Sequence, residues 1–459
     1  MPTTLHEQLS GLLGPSGYLT EPDLLDRYAS DWSKYATVRP LAVARPATIE
    51  ELARTLALCN AARQRVVVQG GRTGLCGGAC PYEGELALST ERLTTIEALD
   101  SHDLTLTAQA GVTLERVQQA AASAGFEFPL DFGARGSCMV GGFLSTNAGG
   151  NSVIRYGVAR NLVLGIEAVL ADGTIVSSMN RMLKNSTGYD LKQLFIGSEG
   201  TLGVVARAVL RLFPQQRDVA TAWVGAASFE GVARLLRDAR AQLEGGPSAF
   251  EVMWNDYVVA ALRHLLQFQA PLGAPAPFHV LLEYSSAARG ATAALERLLE
   301  SAIERGDATD AVLPKSERET DQLWRIRDGA SEIMQSLKVP LTFDVSMPLE
   351  RMPAYVEAVN RAVHQALPGA PIYYFGHLGD GTLHMLIEGG DPARKDEIIG
   401  RVLEPLKAIG GAVSAEHGVG RAKKSFLSLT RSDTEIALMR TLKSQLDPNG
   451  ILNRGRVFD

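Results

Sequence analysis

The chain has 459 residues, 46% of them hydrophobic and 21% charged, with a formal net charge of −6. This is the composition of a globular protein with room for about two or three domains, each able to bury a core. The mild negative balance, with no interleaved basic and aromatic patch, gives no support for a nucleic-acid-binding surface.

From the N-terminus, Met1 to Glu7 lacks the charged and apolar regions of a signal peptide. No apolar run approaches the ~18 residues that a membrane span needs. A cytoplasmic location is expected, with peripheral membrane association left open. Thr48 and Glu51 form a capping box that opens an amphipathic helix through Leu52, Leu56 and Cys59. A β-branched run, Val66 to Val68, reads as a strand ending in Gly70-Gly71. Leu86 to Ser89 and Leu104 to Gln109 read as further strands, and Thr113 caps a helix from Leu114 to Ala124. Ile166 to Leu170, Asp172-Gly173 and Thr174 to Ser177 predict a hairpin. Val204 to Phe213 alternates as a strand, closed by Pro214.

Beyond Pro214 longer helices alternate with single strands. Strands are expected at His279 to Tyr284 and Leu341 to Ser346. Helices are expected from Ala291, from Ser316 to Leu337, from Leu349 to Leu367 and from Asp391 to Ile409. This pattern predicts a second α+β domain with one sheet covered by helices.

Three loops of the first half are rich in glycine: Gly70 to Gly78, Gly133 to Gly142 running on to Asn147-Ala148-Gly149-Gly150, and Gly197 to Gly203. Glycine lets backbone N–H groups converge on phosphate oxygens. Three such loops predict an extended, phosphate-bearing cofactor. Neither a G-x-G-x-x-G nor a G-x-x-x-x-G-K-[ST] motif is present, so neither a Rossmann dinucleotide site nor a P-loop is supported. Cys59, Cys76, Cys80 and Cys138 form no C-x-x-C pair and read as reduced thiols.

A second constellation lies near the C-terminus. His377 ends one apolar run and His384 begins another, on either side of a Gly-Asp-Gly turn, and Glu416-His417 follows about thirty residues later. Two imidazoles and a carboxylate suit a divalent transition metal. A third imidazole beside that carboxylate suits a general base.

These stretches carry a resemblance. Gly70-Gly71-Arg72-Thr73-Gly74-Leu75, Gly141-Gly142 with Asn147-Ala148-Gly149-Gly150, Asn185 to Leu191 and Gly197 to Gly203 resemble the vanillyl-alcohol oxidase and p-cresol methylhydroxylase family of flavoproteins. The histidine site, Glu416 to Gly420 and Asp447 to Asn453 place the chain near that family's FAD-linked D-2-hydroxyacid dehydrogenases. The resemblance runs from about residue 40 to the C-terminus.

The resemblance implies an α+β fold. An FAD-binding domain of two α+β subdomains would occupy residues 1–214, and a substrate-binding cap with an antiparallel sheet 215–410. Residues 411–459 would return to the FAD domain. Non-covalent FAD is expected, since no histidine lies in the glycine loops. Its implied contacts are Gly70, Gly71, Arg72, Thr73, Gly74, Leu75 and Gly77 in the first loop. Pro129, Asp131, Gly133, Ser137, Gly141, Gly142, Thr146, Asn147, Ala148, Gly149 and Tyr156 would follow along the chain, and then Glu199, Gly203, Val204, Glu416 and Asn453.

The metal, taken as Zn²⁺ with Mn²⁺ or Fe²⁺ also fitting, would sit on His377, His384 and Glu416. His417 would be the base. Arg327, Ser331 and Lys423 would meet the substrate, with Ser331 one helical turn beyond Arg327. Electrons would leave to an electron-transfer flavoprotein, a cytochrome or a quinone. A homodimer is the default.

Two departures from the hydroxyglutarate enzymes concern substrate choice: Thr342 stands where they tend to have lysine, and Leu386 where asparagine is common. They favour D-lactate or a larger apolar D-2-hydroxyacid. D-2-hydroxyglutarate, or another alcohol oxidised by a flavin oxidase of the same family, is the alternative.

Overall fold

The computed structural model describes residues 3–459. Its contacts divide the chain into two units. The first is built from residues 1–149, 157–215 and 416–459, and the second from 150–156 and 216–415.

The first unit holds two principal sheets. Strands β1 (Tyr18–Leu19), β2 (Val43–Ala44), β3 (Val66–Gln69) and β4 (Leu86–Ser89) form one, in the order β1-β2-β4-β3. β4 runs parallel to both of its neighbours. Strands β5 (Ile96–Asp100), β6 (Thr105–Gln109), β8 (Val163–Val169), β9 (Ile175–Ser178) and β10 (Val204–Arg211) form an antiparallel sheet ordered β5-β6-β10-β8-β9. A short pair, β7 (Phe126–Glu127) with β11 (Phe213–Pro214), accompanies them. All four β4 residues and all seven of β8 are buried, including the polar Ser89 and the Arg207-paired Glu167.

Helix Ile49–Ala61 packs Leu52, Leu56 and Cys59 into the core beside β3 and β4. Only part of the expected capping box forms there. The Thr48 hydroxyl accepts the Glu51 N–H, but the Glu51 carboxylate accepts from Ala47 rather than from Thr48.

The last residues of the chain also belong to this unit. Val66 N–H donates to Ile451 and Asn453 N–H to Val66, so Leu452 forms a parallel bridge beside β3.

The second unit is one seven-stranded antiparallel sheet. Its strands are β12 (Asp218–Ala226), β13 (Ala249–Trp254), β14 (Phe278–Ser286), β15 (Asp310–Val312), β16 (Pro340–Ser346), β17 (Ile372–His377) and β18 (Thr382–Glu388). Their order is β15-β12-β14-β13-β17-β18-β16. Side chains of Trp223, Met253, Leu281, Phe375 and Leu386 share one face and pack against the helices Asn255–His264, Glu317–Arg327 and Ala330–Ser336.

Two expected long helices are each broken in two. The helix from Ser316 stops at Arg327, and a separate one begins at Ala330. The Tyr257 hydroxyl donates to the Arg327 carbonyl, which a continuous helix would have given to Ser331. Arg327 and Ser331 therefore do not share a helical face as expected. The second expected helix, Asp391 to Ile409, is interrupted at Pro405, which lacks the N–H to continue it.

Candidate functional site

Two constellations emerge. In the first unit the three glycine-rich loops border a cavity of about 360 Å³. The first loop leaves the end of β3, the second leads into helix Val140–Thr146, and the third leads into β10. Asn453 ties two of them together. Its Oδ1 accepts the Val68 N–H at 2.8 Å and its Nδ2 donates to the Glu199 carbonyl at 2.6 Å.

Most of the expected cofactor residues line this cavity. They include Gly70 to Leu75 of the first loop. Gly133, Gly141, Gly142, Thr146, Ala148 and Gly149 line it from the second stretch. Glu199, Val204, Glu416 and Asn453 complete the set, and His417 joins them. Gly77, Pro129, Asp131, Ser137, Asn147 and Gly203 are not among its walls. Asp131 instead accepts from Arg135, and Asn147 ends a helix in the left-handed region and accepts the Arg160 N–H. Tyr156 belongs to the second unit. Phe132, Cys138 and Met139 line the cavity as well; loop membership pointed to the last two, and nothing pointed to Phe132.

The cavity has the features that a dinucleotide diphosphate demands. Gly71 lies so close to the second loop that a Cβ there would sit 1.9 Å from the Ser137 carbonyl oxygen. Gly142, by contrast, would direct a Cβ into open space, which leaves the backbone bare towards a ligand. Arg72 stacks its guanidinium 4.9 Å above the Tyr28 ring, and its buried Nη1 has no partner. Burial pulls its pKa below the ordinary arginine value. A buried cation with an unused donor beside bare backbone complements phosphate oxygens.

Glu199 grips the C-terminal segment. Its carboxylate accepts the N–H groups of Val419 at 2.7 Å and Gly420 at 2.8 Å. Gly418, at φ +78°, would drive a Cβ to within 2.9 Å of that carboxylate. The turn that follows His417 is thus fixed from both sides. Lys423 donates its backbone N–H to Val419 in the same turn.

The second constellation grows from strand register. His384 stands opposite Phe375 of β17 and opposite Asp344 of β16. His377 stands opposite Glu251 of β13. Both histidines are buried and share one sheet face, with ring centroids 5.2 Å apart. Asp344 accepts the Ala415 N–H at both its carbonyl and its Oδ2, each at 3.1 Å, and the Ser414 hydroxyl at 3.2 Å. It thereby fixes the residue immediately before Glu416. His377 and His384 thus present two imidazoles on one face of this sheet, and the sequence expectation adds the Glu416 carboxylate. Two neutral imidazoles and a carboxylate are a suitable donor set for a divalent transition ion.

Arg327 lies against this pair. Its Nε and Nη2 donate to Glu251 Oε2 at 2.9 and 2.6 Å, and its Nη1 to Asp328 at 3.1 Å. Nη2 also lies 3.4 Å from both ring nitrogens of His377, which leaves one Nη1 N–H for a ligand. Glu251 Oε1 lies 2.7 Å from His377 Nδ1. Burial pushes the Glu251 carboxyl up, but Arg327 and His377 more than offset this and hold it below the usual range. Ser331 is exposed on the following helix.

Glu251 was not anticipated. The one signal for it was a lone carboxylate inside the apolar run Ala249-Phe250-Glu251-Val252-Met253-Trp254.

Two family models match the chain. Residues 40–178 match the FAD binding domain family, and residues 215–457 match the family of FAD linked oxidases, C-terminal domain. The chain is 40% identical over 449 residues to D-2-hydroxyglutarate dehydrogenase of Xanthomonas citri pv. viticola, covering 96% of this chain and 94% of that one. It is 35% identical over 461 residues to D-2-hydroxyglutarate dehydrogenase of Stutzerimonas stutzeri, covering 99% and 98%. The crystal structure of p-cresol methylhydroxylase shares the fold with a TM-score of 0.79 at 14% identity, over 99% of this chain and 96% of that one.

Fold and cavity together define an FAD-binding flavoprotein of the two-domain α+β type. The chain belongs to the FAD-linked oxidase family.

Proposed function

We propose that this protein is an FAD-dependent D-2-hydroxyacid dehydrogenase, assisted by a divalent metal, that converts its substrate to the 2-oxoacid. The observation that carries the reading is the buried His377 and His384 pair with the Arg327 guanidinium beside it, to which Glu416 would add the carboxylate of the donor set. A hydroxyacid needs both: positive charge for its hydroxyl oxygen and a guanidinium for its carboxylate. The names of the relatives support the same reaction class.

Non-covalent FAD in the glycine-lined cavity would supply the acceptor for the C2 hydride, and a divalent ion on the donor set would supply charge to the substrate oxygens. This chain's residues do the rest. Arg327 offers its remaining Nη1 N–H and its positive charge to the carboxylate. His417 accepts the hydroxyl proton as the C–H bond breaks. Lys423 adds positive charge in the turn beyond His417. Ser331, exposed on its own helix, is the weakest of the expected substrate contacts.

Substrate choice rests on β16 and β18. Thr342 and Leu386 stand directly opposite each other on the sheet face that carries His384. Leu386 is embedded in the apolar cluster with Phe375 and Ile333. No cation or amide is present at either position to meet a second carboxylate. This supports D-lactate or a larger apolar D-2-hydroxyacid. The relatives' names support D-2-hydroxyglutarate as the second reading.

The test is anaerobic bleaching of the flavin spectrum by D-lactate, D-2-hydroxyisocaproate, D-mandelate and D-2-hydroxyglutarate, with the L-forms as controls. Bleaching by D-forms alone is expected, fastest with an apolar side chain. No bleaching by any D-2-hydroxyacid would overturn the reading. Chelation is expected to abolish bleaching while the flavin stays bound, and full activity in verified metal-free protein would refute the metal's part.

A further inference from the structure

Glu251 is 1% exposed and sits at the centre of the second unit's sheet. A buried carboxylate is expensive to desolvate, and pairing it with a buried arginine is weak evidence for a gain in stability. Its two oxygens face different partners. Oε1 meets His377 Nδ1 at 2.7 Å, and Oε2 alone takes both bonds from Arg327. An ionised carboxylate can only accept, so the His377 nitrogen facing it must carry the proton. The lone pair of the neutral ring is then on Nε2, where Arg327 Nη2 approaches at a long 3.4 Å that a cation would displace. A hydrogen bond on one imidazole nitrogen is what fixes the other as a metal ligand and raises its basicity.

We propose that Glu251 is a positioning residue that holds His377 with Nδ1 protonated and Nε2 presented to a divalent cation, while Oε2 aims the Arg327 guanidinium. Metal affinity and carboxylate recognition are thereby coupled through one side chain. The inference rests on the metal reading above.

No other side chain of similar shape can do both tasks. The amide of glutamine has one accepting oxygen. If that oxygen faces His377, the NH₂ group opposes the Arg327 donors. If it faces Arg327, the NH₂ group donates to Nδ1 and the imidazole proton moves to Nε2. Either arrangement breaks one half of the coupling.

The test uses the full chain with its flavin, stripped of metal and titrated with Zn²⁺ against a chromophoric chelator, and separately with Co²⁺ while the visible ligand-field bands are recorded. His384→Ala reports whether the ion binds at this centre. For Glu251→Gln, Zn²⁺ affinity is expected to fall about 10- to 100-fold and the Co²⁺ bands to shift, with flavin stoichiometry unchanged.

If the single variant does not fold, Glu251→Met with Arg327→Met removes both buried charges together and tests the same point. It should show the same loss of Zn²⁺ affinity. Wild-type affinity and an unshifted Co²⁺ spectrum in the folded Gln or double-Met variant would overturn the inference and leave the metal reading standing. A wild-type chain that binds no ion, or that binds it equally well as His384→Ala, would overturn the metal reading and this inference with it.

Discussion

At the scale of single residues, chemistry and backbone placement are shared between neighbours in the chain. His417 lies one residue before Gly418 and two before Val419, whose N–H Glu199 holds. We expect His417→Ala to lose about 10²- to 10⁴-fold in turnover while keeping its flavin, because only the proton acceptor is removed. Unchanged steady-state turnover would refute the base assignment.

Glu199 itself carries a measurable signature. Burial raises its pKa, partly offset by the Val419 and Gly420 N–H groups and by Lys423. A folded value above the unfolded one means stability that is full below the unfolded value and lost as pH rises through the folded value. Glu199→Gln removes that dependence. Its stability relative to the wild type should therefore increase with pH, read by urea unfolding at pH 5 and pH 8. Parallel behaviour at both pH values would count against a raised pKa.

The metal-like triad was legible because histidines beside glycine turns stand out in any sequence. Glu251 was not, because its importance depends on which strand lies beside β17. That pairing joins residues 126 positions apart.

At the scale of elements, β17 and β18 matter most, since their spacing sets the distance between the two imidazoles. Gly376 lies in β17 where a Cβ would come within 2.5 Å of the Thr382 carbonyl oxygen. Gly376→Ala should push the strands apart at the histidine end and cost about 1–3 kcal/mol. A fall in both melting temperature and Zn²⁺ affinity is expected. A variant that melts lower but binds Zn²⁺ as well as the wild type would show that the strands' spacing does not govern the centre.

Strands with continuous apolar runs were found at nearly their full lengths, β4 from Leu86 to Ser89 among them. The breaks in two helices were harder to see. Residues 316–337 keep helical periodicity, and the interruption falls at Asp328-Gly329, where the Arg327 carbonyl accepts from the Tyr257 hydroxyl 70 residues away. Gly329 is the local signal for the break, whereas the tyrosine that takes the freed carbonyl is set by the fold. β12 and β13 went unrecognised, and with β13 went the strand that carries Glu251.

At the scale of the whole molecule, two buried groups set how stability responds to conditions. His279 is buried, accepts the Trp223 indole N–H at 3.0 Å on Nδ1, and has its pKa lowered by burial from 6.5 to about 4. A depressed histidine contributes stability that is full above the unfolded value and lost as pH falls towards the folded one. Between pH 7 and pH 5 this one group should remove about 2 kcal/mol. His279→Gln should flatten that part of the stability profile, and an unchanged slope would refute the assignment.

Arg456 and Glu85 are both fully buried and joined by two bonds of 2.7 and 2.8 Å. Arg456→Met leaves the Glu85 charge uncompensated and should cost about 3–5 kcal/mol in thermal or urea unfolding.

The path of the chain has a consequence for how the protein is made. It passes between the two units at 149/150, 156/157, 215/216 and 415/416. Ribosomal synthesis delivers everything the second unit needs by residue 415, whereas the first unit lacks the neighbour of β3 until Leu452 has emerged. Birth order and completion order are therefore reversed: the unit begun first is finished last. A nascent chain arrested at residue 459, with Leu452 still inside the ribosome, should present a protease-resistant second unit beside a first unit that cannot yet retain flavin.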